Sequence, residues 1–467
     1  MTNTLAAGGV EEVIKGGYCI GCGGCSVKDP EIIIRENDTG LYQATSVEKP
    51  LLEANAVCPF SSSVDENLIG NQLYGTLNKH DSRIGYYNEI YAGHVAEGEY
   101  RKNGSSGGVV TWVLHELMAQ NHIDAVIHVG EVNKVGELFG YKISHSKEEI
   151  RSHSKSRYYP VHISDVMKEV KLNNLRYAFV GVPCFVKAVR LLALNDPIIA
   201  ERIKYCIAIF CGHLKTKAFS EMIGWQQGVP PNMLGGIDFR VKTPNLPANR
   251  YSIQVSKTDD AKTRKLTPVQ ANKLYGMDWG LGYFKPKACD WCDDIAGETA
   301  DLACGDAWLK EFDSDPGGNN ILVARNGLIS KLLEVGVREG RLQLQIQTVE
   351  KVYESQAGNY RHRQEGLSVR TKKAIENNIW YPKKRFNENS FVVPSIRSKI
   401  YILRSLISER SQFHFSKSRN SSSFFSFVLK MAPLEIKYFC LTRGWLRGIK
   451  KGLNTYTSFK TRKNIDS

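Results

Sequence analysis

A mixed α/β fold is predicted for this 467-residue chain. A small cysteine-ligated domain leads into a mostly parallel sheet wrapped by helices, and a helical or irregular basic tail follows. Three observations predict it. Cysteines crowd the N-terminus at ligand spacing. From Glu89 onward, apolar strands alternate with amphipathic helices, the pattern of a parallel sheet. From about Thr371 the chain turns basic and aromatic. The expected divisions are 1–75, 76–200, 201–375 and 376–467, the middle two sharing the sheet.

Composition narrows the function classes. Hydrophobic residues make up 42% of the chain, enough for real cores, and the formal charge is +14. Fifteen Lys and Arg against three acids between Pro394 and Ser467 supply +12 of it. The body is therefore near neutral, and the basic character belongs to the tail. Met1 to Gly17 holds no long apolar run of the kind a signal peptide needs. No stretch reaches the ~20 apolar residues of a membrane span. Eleven cysteines in such a chain read as metal ligands rather than disulfides. The expected location is a reducing cytoplasm, with the tail offering peripheral contact to the inner membrane surface.

The N-terminal part is organised by Cys19, Cys22 and Cys25 on the loop Cys19-Ile20-Gly21-Cys22-Gly23-Gly24-Cys25. The spacing matches the first three ligands of the bacterial ferredoxin run. The fourth place of that run holds Asp29 before Pro30, so a single local cluster closed by Cys58-Pro59 is expected. Glycine lets such a loop turn three thiols toward one centre. A zinc knuckle is the alternative, although zinc sites usually come as two C-x2-C pairs. A short strand is expected at Ile32 to Ile34.

The sheet part opens with a strand at Ile90 to Val95. Next comes a loop, Gly104-Ser105-Ser106-Gly107-Gly108, and then a helix with Val109, Val110, Val113, Leu114 and Leu117 on one face. Ile123 to Val129 is the next strand. A Gly/Ser loop at a helix start offers backbone N–H groups and the helix dipole to a phosphate. It is neither a Walker loop nor G-x-G-x-x-G, and a plain flexible loop with a helix cap explains it too. A second unit follows: strand Tyr177 to Gly181, turn Val182-Pro183-Cys184, helix Phe185 to Leu194, strand Tyr205 to Phe210, then Cys211-Gly212. Sites in such sheets gather outside the carboxyl ends of the strands, and Cys184 and Cys211 both lie there.

Cys289 and Cys292 form a C-x2-C pair, which ligates metal or performs disulfide exchange. With Cys184 and Cys211 they make an economical four-thiolate site. Cys304, in the strand Leu302 to Cys304, is the spare that could replace one of the four. Cys206 reads as core and Cys440 as incidental. Asp306 is a candidate active-site contact or a turn and N-cap aspartate. His213 and Lys187 lie near motif cysteines, where solvated or structural roles are commoner, and no catalytic acid or base is assignable. A loop at Gly317 to Asn320, a strand to Arg325 and a helix at Leu328 to Val337 close the core. In the tail, Ile396 to Ile407 reads as a basic amphipathic helix, and Ser418 to Ser426 is Ser/Phe-rich. A solvated extension or membrane-surface contact both suit this composition. Nucleic-acid binding does not, since no module accompanies the charge.

In order and spacing these motifs resemble the coenzyme F420 hydrogenase/dehydrogenase beta-subunit family over roughly Cys19 to Ile375. The landmarks are C-x2-C-x2-C, Ser106-Gly107-Gly108, Ser156-Arg157-Tyr158, Gly181-Val182-Pro183-Cys184 and Phe210-Cys211-Gly212. They continue with Phe239-Arg240-Val241-Lys242, Cys289-x-x-Cys292 and Ala300 to Trp308. The resemblance implies an iron–sulfur flavoprotein oxidoreductase. It implies FAD and 4Fe-4S clusters, two of them on the ligand sets above. FAD contacts are expected at Gly104, Ser105, Ser106, Gly107, Gly108, Ser156, Tyr158 and Asp306. A ferredoxin or another redox protein and an organic two-electron substrate are the expected partners, with surface-polysaccharide chemistry one setting. Use of coenzyme F420 itself, or service as a non-catalytic electron-transfer subunit, are the alternatives. Phe185 stands where the family usually carries a polar residue, often Gln, and the basic tail lies outside the family's shared core.

Overall fold

A computed structural model describes residues 8–45, 51–61, 64–77, 79–134, 136–259 and 262–460. Ten strands carry the argument: β1 (Glu89–Val95), β2 (Ala125–Lys134), β3 (Glu137–Ser144), β4 (Tyr177–Gly181), β5 (Ile203–Ile209), β6 (Leu234–Val241), β7 (Ser252–Asp259), β8 (Leu302–Asp306), β9 (Asn320–Ala324) and β10 (Leu342–Ile346). Eight of them make one sheet in the order β10-β1-β9-β8-β5-β4-β2-β3. The four strands β8, β5, β4 and β2 run parallel. Antiparallel strands flank them on both sides, β9, β1 and β10 on one and β3 on the other. The parallel part is thus the centre of the mixed sheet. The paired centres of its strands, residues 125–127, 177–179, 206–208 and 302–304, are buried apolar runs, as cover on both faces demands.

Alternate residues feed two different cores. Ile127, Phe179, Cys206, Ala208, Ala303 and Val323 point to one face. Val126, Ala178, Ile207, Leu302, Cys304 and Leu322 point to the other. The second face is covered by α1 (Val109–Ala119), while α2 (Pro183–Asn195) packs on the first together with the N-terminal cysteine segment. Helix α2 begins at Pro183, one residue before Cys184, because proline's fixed φ suits a first helical position. Cys184 therefore sits in the first turn of a helix rather than in a connecting turn. In the N-terminal segment the strand starts at Ile34 and pairs with Tyr42–Ala44.

A third core forms around β6 and β7, an antiparallel pair that the sequence reading did not anticipate. The helix α3 (Ala218–Trp225) packs there. So do α6 (Ser395–Asn420) and α7 (Phe424–Arg443) of the tail, numbered after α4 (Gly327–Arg338) and α5 (Ala357–Arg363). Phe415, Phe424, Phe427 and Met431 are fully buried in that core, so this part of the tail is no solvated extension. The predicted helix at 396–407 continues to Asn420. The last helix, α8 (Trp445–Lys460), lies along α7 through Gly448, where any side chain would strike the Cys440 backbone. The segment before α6 also belongs to the body. Trp380 accepts a hydrogen bond from Tyr18 at 2.8 Å. Tyr381 stacks on Trp291, and Arg385 pairs with buried Asp293 and Glu298.

Candidate functional site

At the carboxyl ends of β4, β5 and β8 lies a cavity of about 280 Å³. Its wall includes Gly104, Ser105, Ser106, Gly108, Ser156, Tyr158 and Asp306, most of the residues expected to contact FAD. Gly107 lies outside the lining and does a structural job. A Cβ there would come within 2.8 Å of the Gly93 carbonyl. Gly108 caps α1 at φ +85°, a conformation that favours glycine. The backbone N–H groups of Ser105 to Gly108 have no partner among the described residues. Both hydroxyls of the loop are engaged: Ser105 Oγ accepts from Ser156 N–H at 2.9 Å, and Ser106 Oγ donates to the Asn319 carbonyl.

Cations surround this loop. Lys155, Arg157, Lys215 and Arg240 line the cavity, with His128, His153 and His213 beside them. The Arg157 side chain is only 5% exposed, and its Nε and Nη1 have no hydrogen-bond partner among the described residues. Its Nη2 stands 3.6 Å from the exposed Glu131 carboxylate, and its guanidinium lies over the Phe139 ring. Lys215 donates to the Tyr283 carbonyl at 2.6 Å and sits between the Phe219 and Trp279 rings. Burial drives the Lys215 pKa well below its ordinary value. Asp306 pairs with Arg240 at 2.6 Å and ends a strand, so it caps no helix. The wall is thus rich in cations and free N–H donors, and it suits a ligand bearing phosphate or carboxylate. Sequence reasoning quoted Arg157 and Arg240 within larger motifs without assigning them a role. Nothing local marked Lys155 or Lys215.

The four N-terminal cysteines come together. Cys19, Cys22 and Cys25 each feel Cys58 electrostatically, and Cys25 feels the other three. The N–H groups of Gly21 and Ala44 point at Cys19 Sγ, both at 3.4 Å. Gly21 and Gly23 hold positive φ, as the loop requires. Burial pushes the Cys19 thiol up to about 11, and burial with neighbouring thiols pushes Cys22 and Cys25 up too.

The second predicted group also assembles. Cys184 feels Cys292, Cys211 and Cys289, and Leu214 N–H points at Cys289 Sγ at 3.3 Å. Burial pushes Cys289 up to about 12. Cys304 is outside the group: its side chain packs into the opposite core, and Asp306 is the charge acting on it. Cys206 is fully buried mid-strand. Lys187 pairs with Glu66 in the interior, and His213 forms part of the cavity wall. Four thiolates in a dry site repel one another and need bound positive charge to ionise together. Among the described residues, no three His, Cys, Asp or Glu stand close enough to hold a single metal ion. Two sets of four thiols, each with an N–H donor at one sulfur, have the donor chemistry a polynuclear cluster would use.

Fold and site define an α/β protein whose anion-suited cavity adjoins two four-cysteine groups. Comparison with known proteins makes this specific. A family model for the N-terminal part of the coenzyme F420 hydrogenase/dehydrogenase beta subunit matches residues 90–168. Its companion, for the C terminus of the same beta subunit, matches residues 174–349. A coenzyme F420-dependent sulfite reductase of Methanocaldococcus jannaschii is 24% identical over 312 residues, 63% of this chain. This chain spans 43% of that protein's length. A chain of the F420-reducing [NiFe] hydrogenase complex from Methanosarcina barkeri superposes with TM-score 0.49 and 16% identity, over 65% of this chain and 99% of that one. That superposition is too loose to carry residue roles. The chain belongs to the coenzyme F420 hydrogenase/dehydrogenase beta-subunit family.

Proposed function

We propose that this chain is a coenzyme F420-linked oxidoreductase module holding FAD and two 4Fe-4S clusters. The family match favours the deazaflavin coenzyme over the ferredoxin-fed saccharide enzyme that led the sequence reading. One observation carries the proposal: a cation-walled cavity adjoins both four-thiol groups. Ile20, between the N-terminal ligands, and Cys211, of the second group, both line it. Cys19, Cys22, Cys25 and Cys58 would hold one cluster, and Cys184, Cys211, Cys289 and Cys292 the other. When bound, clusters carry single electrons and flavin converts them to hydride equivalents. The residues of the chain bind and orient. The N–H groups of Ser105, Ser106 and Gly108 and the Arg157 guanidinium would hold phosphate oxygens. Tyr141 and Phe185 supply an aromatic wall. Hydrophobic cover over the thiols keeps water out. A redox protein or a further subunit supplies or accepts the electrons.

Anaerobically purified protein is expected to contain about eight iron atoms and one flavin, and to exchange hydride with coenzyme F420. Cys58→Ser should remove only the N-terminal half of the iron. A colourless, flavin-free protein loaded with zinc would refute the cofactor reading. Activity with other acceptors but none with coenzyme F420 would refute the coenzyme assignment alone.

The tail adds a membrane contact to this reading. Trp445 is 76% exposed and Leu446 87% exposed, and Ile449 joins them on the surface. Arg443, Arg447, Lys450 and Lys451 are exposed around them. No described helix is long and apolar enough to cross a membrane. An amphipathic basic helix of this kind lies on an anionic surface. Co-sedimentation with phosphatidylserine vesicles, lost in Trp445→Ser/Leu446→Ser and absent with phosphatidylcholine alone, is the expected result. Equal binding by that variant would refute it.

A further inference from the structure

Arg363 ends helix α5, is 2% exposed, and reaches into the second four-thiol group. Its Nη1 donates to Cys292 Sγ at 2.9 Å and to the Asp294 carbonyl at 2.7 Å. Its Nη2 donates to the Gly212 carbonyl at 2.7 Å and points at Cys211 Sγ at 3.8 Å. Two carbonyls, each next to or near a thiol-bearing residue, thus clamp the guanidinium in the fork between two sulfurs. Among the described residues, no carboxylate lies within ion-pair distance of it. Burying a guanidinium without a counter-charge is costly. Its counter-ion is therefore the sulfur group itself.

We propose that Arg363 is a positioning residue that sets the reduction potential of the second cluster, holding it above the value the same four ligands would give alone. This rests on the two-cluster reading above. Reduction adds one electron to a cluster that is already anionic, and no bond to Arg363 forms or breaks. Arginine stays protonated throughout, so its positive charge and sulfur hydrogen bond favour the reduced form at every working pH. Hydrogen bonds to the sulfurs are among the levers that set such potentials. Among the described residues, no arginine or lysine donates to a sulfur of the N-terminal group. Its sulfurs face the neutral N–H groups of Gly21 and Ala44. The two clusters are thereby set apart, the second being the easier to reduce and the one whose ligand Cys211 borders the cavity.

The test is a redox titration of the anaerobic holoprotein, followed by the electron paramagnetic resonance of each reduced cluster. In Arg363→Met the second cluster should become harder to reduce by about tenfold or more in its equilibrium constant, about 59 mV for one electron. The N-terminal cluster should not move. Arg363→Lys, which keeps the charge and loses the fork, should fall between. Two intact clusters with unchanged potentials in Arg363→Met would overturn the proposal. Loss of the second cluster in both variants would overturn it as well, leaving Arg363 a structural support. Absence of iron from the wild-type protein would instead refute the two-cluster reading.

Discussion

Glu435 offers a direct test of how the tail is joined to the body. It is 3% exposed, sits on α7 within the third core, and accepts a hydrogen bond from Tyr283 at 2.8 Å. Burial raises its carboxyl from the ordinary 4.5 to about 7, the nearby tyrosine hydroxyls offsetting only part of the effect. The sign follows from linkage. A carboxyl with a raised folded-state pKa binds its proton more tightly folded than unfolded, so stability is greatest below the unfolded value and falls as pH rises through the folded one. Two and a half pH units at roughly 1.4 kcal/mol each cost about 3 kcal/mol by pH 8. Glu435→Gln keeps an acceptor for Tyr283 and removes the titration. Urea melts of wild type and variant at about pH 5 and about pH 8 isolate the effect, because every other group titrates in both proteins. The variant should exceed the wild type by about 1 kcal/mol or less near pH 5 and by about 3 kcal/mol near pH 8. An advantage that is equal at both pH values, or absent at the higher one, would refute the buried, protonated Glu435.

Two further outcomes follow from the same structure. Arg157→Met should weaken flavin binding about 10- to 100-fold, the loss of one or two charge-assisted hydrogen bonds, measured by flavin release under ultrafiltration; unchanged retention would exclude Arg157 from the binding site. Arg385→Met strips Asp293 and Glu298 of their buried partner. It should cost about 3–5 kcal/mol in urea melts near neutral pH, and less in acid, where Asp293 can take up a proton. Arg385 holds that carboxyl below the usual range against the opposing effect of burial.

What the sequence made legible was whatever is local. Cys19, Cys22 and Cys25 bring their geometry with them, because ligand spacing and glycine conformation are settled within seven residues. The strand Tyr177–Gly181 announces itself as a short apolar run, since a strand buried on both faces has no polar register to show. Other features depend on residues distant in sequence. Arg363 lies 71 residues from Cys292 and stands beside Arg361 and His362 in what reads as a basic helical stretch. Only the fold shows that one of these cations faces sulfur. Glu435 is hidden the same way, as a single acid in a basic helix. The antiparallel pair β6 and β7 escaped notice because its strands carry glycine and alternating polar residues.

In the proposed function, two sulfur groups and a ligand cavity have to exchange electrons. The structure draws the three places into a close arrangement. Gly24, beside Cys25, lies against Ala188 of α2, the helix whose first turn carries Cys184. Half-buried Tyr141 feels both Cys184 and Cys22, stacks on Phe179, and lines the cavity. A single aromatic side chain thus touches the surroundings of both sulfur groups and of the ligand space. Electron transfer falls steeply with distance, so contiguity of this kind permits either group to serve the cavity without the other. Order along the path then has to come from energy rather than position. The role proposed for Arg363, which donates to a sulfur of the second group only among the described residues, would supply such an order.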